Sequence, residues 1–134
     1  YCMASIFTKI IQRDIPGHIV AEDEFCLAFL DIEPLVEGHV LVVPKKEVDY
    51  IFDLDDELLA KLNVFAKKVA KGIDKAIPCQ RVGVTVIGLE VPHAHIHLIP
   101  MNSMRDMNFN GPKVSFSQDE LAATAEKIRA AISD

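Results

Sequence analysis

The sequence has no tryptophan, and its three cysteines, Cys2, Cys26 and Cys79, stand at no C-x-x-C or other metal-ligand spacing. Neither a disulfide framework nor a cysteine-held metal is expected, and the thiols read as reduced and structural. Long apolar runs are also missing, and no basic segment followed by an apolar stretch opens the chain. Neither a membrane span nor a secretory leader is expected, and the reading is of a soluble, cytoplasmic protein. Basic residues are the minority: 14 Lys and Arg against 20 Asp and Glu, a formal charge of −6. That balance excludes a nucleic acid polymer as partner, because such binding needs clustered cations, but it allows a small phosphorylated ligand in a locally positive site. There is no repeat, low-complexity tract or Pro/Gly/Ser-rich linker, so residues 1–134 read as one domain.

Half of the 134 residues are hydrophobic and a quarter are charged, a globular composition. Ile6, Phe7, Ile10 and Ile11 recur at helical spacing and predict a short helix over 5–13, before Pro16-Gly17. Residues 19–21 and 25–30 read as two strands around an acidic turn, and 38–44 as a third strand ended by Pro44. Between Asp53 and Ile77 the apolar residues fall at steps of three and four, which predicts a long amphipathic helix that stops before Pro78. Residues 81–87 and 93–99 read as strands four and five, the latter closed by Pro100, and 101–116 as irregular. Ser117 with Glu120 forms a capping box that opens a C-terminal helix. The expected fold is α+β: a mainly antiparallel five-stranded sheet, one long helix between strands three and four, and a C-terminal helix.

His93-Ala94-His95-Ile96-His97-Leu98-Ile99 holds three of the five histidines. Side chains alternate along a strand, so His93, His95 and His97 should share one face while Ala94, Ile96 and Leu98 pack on the other. Three titratable rings in a row have no packing advantage over valine, so the pattern points to chemistry. A three-histidine metal site fails on reach: rings two residues apart are about 6.8 Å from one another and the outer pair about 13.6 Å, whereas zinc holds each nitrogen at about 2 Å. The row suits a phosphate and its leaving group, because imidazole attacks phosphorus, donates to phosphate oxygens and moves protons near neutral pH.

The run matches His-φ-His-φ-His-φ-φ, with φ apolar, and resembles the signature of the histidine triad (HIT) superfamily of nucleotidyl hydrolases and transferases. Ile6-Phe7 with Ile10-Ile11, Ala28 to Ile32, and Gly38 to Lys46 resemble further family segments in the family order, so the likeness covers about residues 5 to 100. The resemblance implies that His95 is the nucleophile toward the α-phosphorus, and that His93 and His97 flank the phosphate, fix the His95 tautomer and assist the leaving group. It also implies that Gly88 lets backbone approach the phosphate, with a plain turn glycine as the alternative. Asp31 would accept the ribose hydroxyls unless it is simply a solvated acid before Pro34. Ile6, Phe7, Ile10, Phe29 and Ile32 would wall the base or merely pack the core, and His39 would stand near the triad or be structural. His18 reads as a surface residue.

Three departures bear on this. Ser5 and Thr8 occupy positions where many relatives carry zinc-binding cysteines, and Glu47 one where they carry histidine, so neither metal nor other cofactor is expected. The connection before the triad is short, and Leu89 and Glu90 stand where relatives hold phosphate-contacting glutamine or serine. The implied activity is hydrolysis that releases a nucleoside monophosphate, AMP being the expected one, from phosphoramidate or phosphoanhydride substrates through a nucleotidyl-histidine. The alternative is a nucleotide-binding regulatory protein with little turnover. The implied partner is a purine nucleotide or its conjugate, and the implied assembly a homodimer.

Overall fold

The computed structural model describes residues 4–132, so Cys2 lies outside the described residues. Helix α1 (Ile6–Ile11) leads into strands β1 (Ile19–Glu22), β2 (Cys26–Leu30) and β3 (Val40–Pro44). A 3-10 turn at Ile51–Asp53 precedes helix α2 (Asp56–Ala76), and strands β4 (Arg81–Thr85) and β5 (Ile96–Met101) follow. A second 3-10 turn at Met104–Met107 and helix α3 (Gln118–Ala131) complete the order. All neighbouring strands are antiparallel, in the order β1-β2-β3-β5-β4, so the expected α+β sheet with its long intervening helix is the observed one.

Alternation along the strands splits the core in two. Cys26, Ala28 and Leu30 of β2, Val40 and Val42 of β3, and Ile96 and Leu98 of β5 pack on one face with Leu62, Phe65, Val69 and Ile73 of α2. Leu121, Ala125 and Ile128 of α3 join that cluster, so the C-terminal helix is part of the main core. The opposite face carries a smaller cluster of Leu27, Phe29, Leu41 and Val43, covered by Phe7 and Ile10 of α1. The short α1 therefore sits on the sheet face to which the triad histidines turn. Helix α2 is held by the Asp55 side chain, which accepts from Leu58 N–H, and α3 by the expected Ser117–Glu120 capping box.

Two strand boundaries differ from expectation. Strand β4 ends at Thr85, and β5 starts at Ile96 instead of His93, because Ala94 N–H bonds the Val48 carbonyl (2.7 Å) and not a ladder partner. Nor does Pro100 end β5, since it pairs with Val82 and the strand runs to Met101. Met101 turns its carbonyl to Gln80 N–H on the β4 side (3.1 Å). Pro100 thus turns its missing donor to the other side, where β3 begins only at Val40, opposite Leu98.

Candidate active site

The main-core cluster takes Ala94, Ile96 and Leu98, so His93, His95 and His97 do face the α1 side together. They are not an exposed row: relative exposure is 0% for His93, 6% for His95 and 7% for His97. Phe7 stands edge-on to the rings of His93 and His95, with centroids 5.9 and 5.0 Å away, and the His95 and His97 rings are 4.9 Å apart. What each ring does follows from which nitrogen is engaged.

His93 is locked on both sides. Its Nε2–H donates to the Pro44 carbonyl (2.8 Å), which leaves Nδ1 to accept from the Ser5 hydroxyl (2.9 Å). Ser5 is also the N-cap of α1, accepting from Thr8 N–H, and Glu47 Oε1 accepts from both Ser5 N–H (2.7 Å) and the Thr8 hydroxyl (2.5 Å). The residues read as departures from a zinc set thus form a hydrogen-bonded clamp around His93. Those two hydroxyl and amide donors hold the Glu47 carboxyl below its usual range. The His93 ring is fully enclosed and both of its nitrogens are hydrogen-bonded within the protein, unlike the phosphate-flanking placement expected for it. The His93 carbonyl accepts from His95 Nδ1–H (2.7 Å), which sets the tautomer of the His95 ring.

His95 is therefore left with an unprotonated Nε2. Leu35 N–H donates to His39 Nδ1 (3.1 Å), so His39 carries its proton on Nε2 and passes a hydrogen bond to His97 Nδ1 (2.9 Å). His97 must then hold its own proton on Nε2. Every fully buried side-chain nitrogen has a partner among the described residues. The Nε2 atoms of His95 and His97 have none there and consequently reach solvent, one as a bare lone pair and the other as an N–H donor. Burial keeps the rings neutral, lowering His97 to about 4 and His39 to about 3, with the neighbouring histidines adding to the effect. Burial also lowers His93 and His95.

Asp31 follows β2 beside this pair. Its Oδ1 accepts from Glu33 N–H (2.9 Å), and its Oδ2 lies 3.7 Å from His39 Nε2, with burial raising its pKa. Asp31, His39 and His97 bring one donor atom each within 4.8 Å of one another. The two facing ring nitrogens already share a proton in a hydrogen bond, however, so the trio is built as a relay and not as a metal cradle. Gly88 has φ +73° and open space where a Cβ would stand, so its backbone conformation and not crowding calls for glycine. Of the expected apolar wall, Phe7, Ile10 and Phe29 are buried in the smaller core, whereas Ile6 (49%) and Ile32 (66%) are exposed and free to meet a ligand. His18 bonds Gln118 at 2.9 Å, away from the triad.

Phe109 was not among the expected residues. It comes from the irregular segment after β5, and its ring lies 4.9 Å from His97 and 6.1 Å from His39. An isolated aromatic residue in Asn108-Phe109-Asn110-Gly111 is the one signal the sequence offers for such an anchor. The clamp of Ser5, Thr8 and Glu47 was missed as an interaction, since its members are about 40 and 90 positions apart in sequence.

The HIT domain family model matches residues 12–104. A relative in Schizosaccharomyces pombe, named adenosine 5'-monophosphoramidase, is 36% identical over 133 residues, covering 97% of this chain and 99% of its own. A Saccharomyces cerevisiae protein of the same name is 40% identical over 99 residues, 72% of this chain and 62% of that one. Among solved structures, a HIT-like protein from Bartonella henselae superposes with TM-score 0.85 at 33% identity, covering 98% of this chain and 99% of the other. From the family model, these relatives and the placement of its three histidines, the chain belongs to the HIT family.

Proposed function

We propose that the protein is a nucleotidyl hydrolase that releases a nucleoside monophosphate, AMP first among the candidates, from phosphoramidates. The observation that carries this is the bare Nε2 of His95, fixed by the His93 carbonyl and beside the Nε2–H of His97. In this mechanism His95 Nε2 attacks the α-phosphorus, the P–N bond breaks as its electron pair and a proton from solvent go to the leaving amine, and water then cleaves the nucleotidyl-histidine, its hydroxyl going to phosphorus and its proton back to solvent. His97 donates to the phosphoryl oxygen on which charge develops, held in that tautomer by His39 and Leu35. Asp31 accepts the ribose hydroxyls, and Ile6 and Ile32 cover the base. His93 works through its carbonyl and the clamp around its ring, without touching substrate.

Glu90 favours an amine over a polyphosphate as leaving group. It is exposed on the loop before the triad, and its charge favours protonation of both His95 and Asp31, so it bears on the site itself. A carboxylate there repels further phosphates and attracts an ammonium. The relatives named adenosine 5'-monophosphoramidase support the same leaving group. A homodimer belongs to this reading, and the surfaces it would use are edge strand β4, with Val84 61% exposed, and α2, with Val64 68% exposed.

Hydrolysis of an adenosine phosphoramidate, measured beside a diadenosine polyphosphate, tests the proposal. His95→Asn should lower kcat by at least about a thousandfold while AMP still binds. Turnover unchanged in that variant overturns the mechanism. AMP binding without turnover in the unaltered protein would instead support a regulatory nucleotide-binding role.

A further inference from the structure

Between β5 and α3 the chain doubles back over the relay. Asp106 accepts from the backbone N–H groups of Asn102 and Ser103 (2.8 and 3.1 Å) and fixes the start of this strap. Val114 N–H bonds the Pro34 carbonyl (2.9 Å) and fixes its far end, and Lys113 Nζ bonds the Phe109 carbonyl (2.7 Å). The Phe109 ring is thereby set edge-on against both members of the relay, at 72° to His97 and 81° to His39. Phe7 covers His93 and His95 from the other side, so each half of the triad has its own aromatic cover.

We propose that Phe109 is a positioning residue for His97: its ring keeps water off the His39–His97 hydrogen bond while leaving His97 Nε2–H open to the site, and so preserves the neutral form of His97. The role assigned to His97 here rests on the hydrolase reading, but the seal itself is a property of the free protein. The seal matters because of the relay. If His97 gained a second proton, its Nδ1–H would face His39 Nε2–H across 2.9 Å, and His39 cannot answer by moving its proton, since Leu35 N–H already occupies its other nitrogen. Two donors cannot share that gap, so a protonated His97 leaves its place. The other titratable and charged groups around the pair are His95 from the same segment, Asp31 from the end of β2, and Lys113 from the strap, whose charge further disfavours a protonated His39.

The test is the histidine titration of the free protein followed by NMR, in Phe109→Ala, Phe109→Val and Phe109→Leu. Burial, with His95 beside it, lowers His97 to about 4 in the unaltered protein. Opening the strap should move it toward the ordinary value of about 6.5, in the order Ala, then Val, with Leu nearly unchanged. His95, under Phe7, should stay where it is. With full return to the ordinary value, kcat at pH 6 falls about fourfold relative to pH 8, with KM steady. A His97 midpoint that does not move in folded Phe109→Ala or Phe109→Val overturns the seal, as does a kcat loss equal at all pH values. Because the titration needs no substrate, a protein inactive on phosphoramidates would defeat the hydrolase reading while the seal was still measured.

Discussion

A histidine becomes a nucleophile only when one nitrogen is stripped of its proton and left without a partner. His95 meets both conditions through a single bond, from its Nδ1–H to the His93 carbonyl. His97 meets the opposite one, its proton forced onto Nε2 by the relay from Leu35 through His39. Asp31→Asn should raise KM for an AMP phosphoramidate about tenfold with a smaller change in kcat, because a ribose contact is made in ground and transition states alike. A fall in kcat at constant KM, measured by steady-state kinetics, would move Asp31 into the chemistry instead. Glu90→Gln should narrow the preference for a lysine-bearing phosphoramidate over a diadenosine polyphosphate by several fold, read as a ratio of kcat/KM values. An unchanged ratio would remove Glu90 from substrate selection. At this scale the sequence was most legible where chemistry is carried by residue type at fixed spacing, as at positions 93, 95 and 97. It was silent on which nitrogen each ring leaves free, because that depends on Pro44, Ser5, Leu35 and His39, whose approach only the fold creates.

At the scale of elements, sequence pattern located the five strands and three α-helices of the described residues but not the two 3-10 turns, and the remaining errors fell at ends. Residues 93–95 alternate like a strand, but they are held by the Val48 carbonyl and by His93's own carbonyl, so ladder pairing starts only at Ile96. Pro100 looked like a stop because its missing N–H is costly in mid-sheet, yet β3 leaves that side of β5 open. Helix α1 shows how an element can serve the site: its N-cap, Ser5, is also the donor to His93. Ser5→Ala should cost about 1 kcal/mol from the cap in a urea melt, and also lower kcat through a loosened His93. Stability loss without any change in kcat would show that the cap and the triad are independent.

Taken as a whole, the molecule folds four histidines into nearly dry surroundings, and that has a thermodynamic consequence. The unfolded chain binds protons on these rings near pH 6.5, whereas folded His97 and His39 wait until about 4 and 3. Below pH 6.5 the unfolded state therefore carries more protons, and stability falls as pH drops through the window between these values. At pH 5 the loss is about 2 kcal/mol for each of the two rings relative to neutral pH. Urea melts at pH 7 and pH 5 should show it, and His39→Asn should weaken the dependence. Stability flat across that interval would mean that the rings are wetter than their burial implies. The wider architecture was legible because hydrophobic alternation and a 21-residue amphipathic helix leave few ways to assemble an antiparallel sheet. The strap across His97 was not legible, since a segment without periodicity gives no hint of where Phe109 will land.

The most direct measurement concerns His95 itself. Acid-quenched turnover of an adenosine phosphoramidate, followed by peptide mass spectrometry, should find AMP attached to His95 and no adduct in the His95→Asn variant. An enzyme that turns over while His95 stays unmodified, or that carries the nucleotide on another residue, would contradict the account.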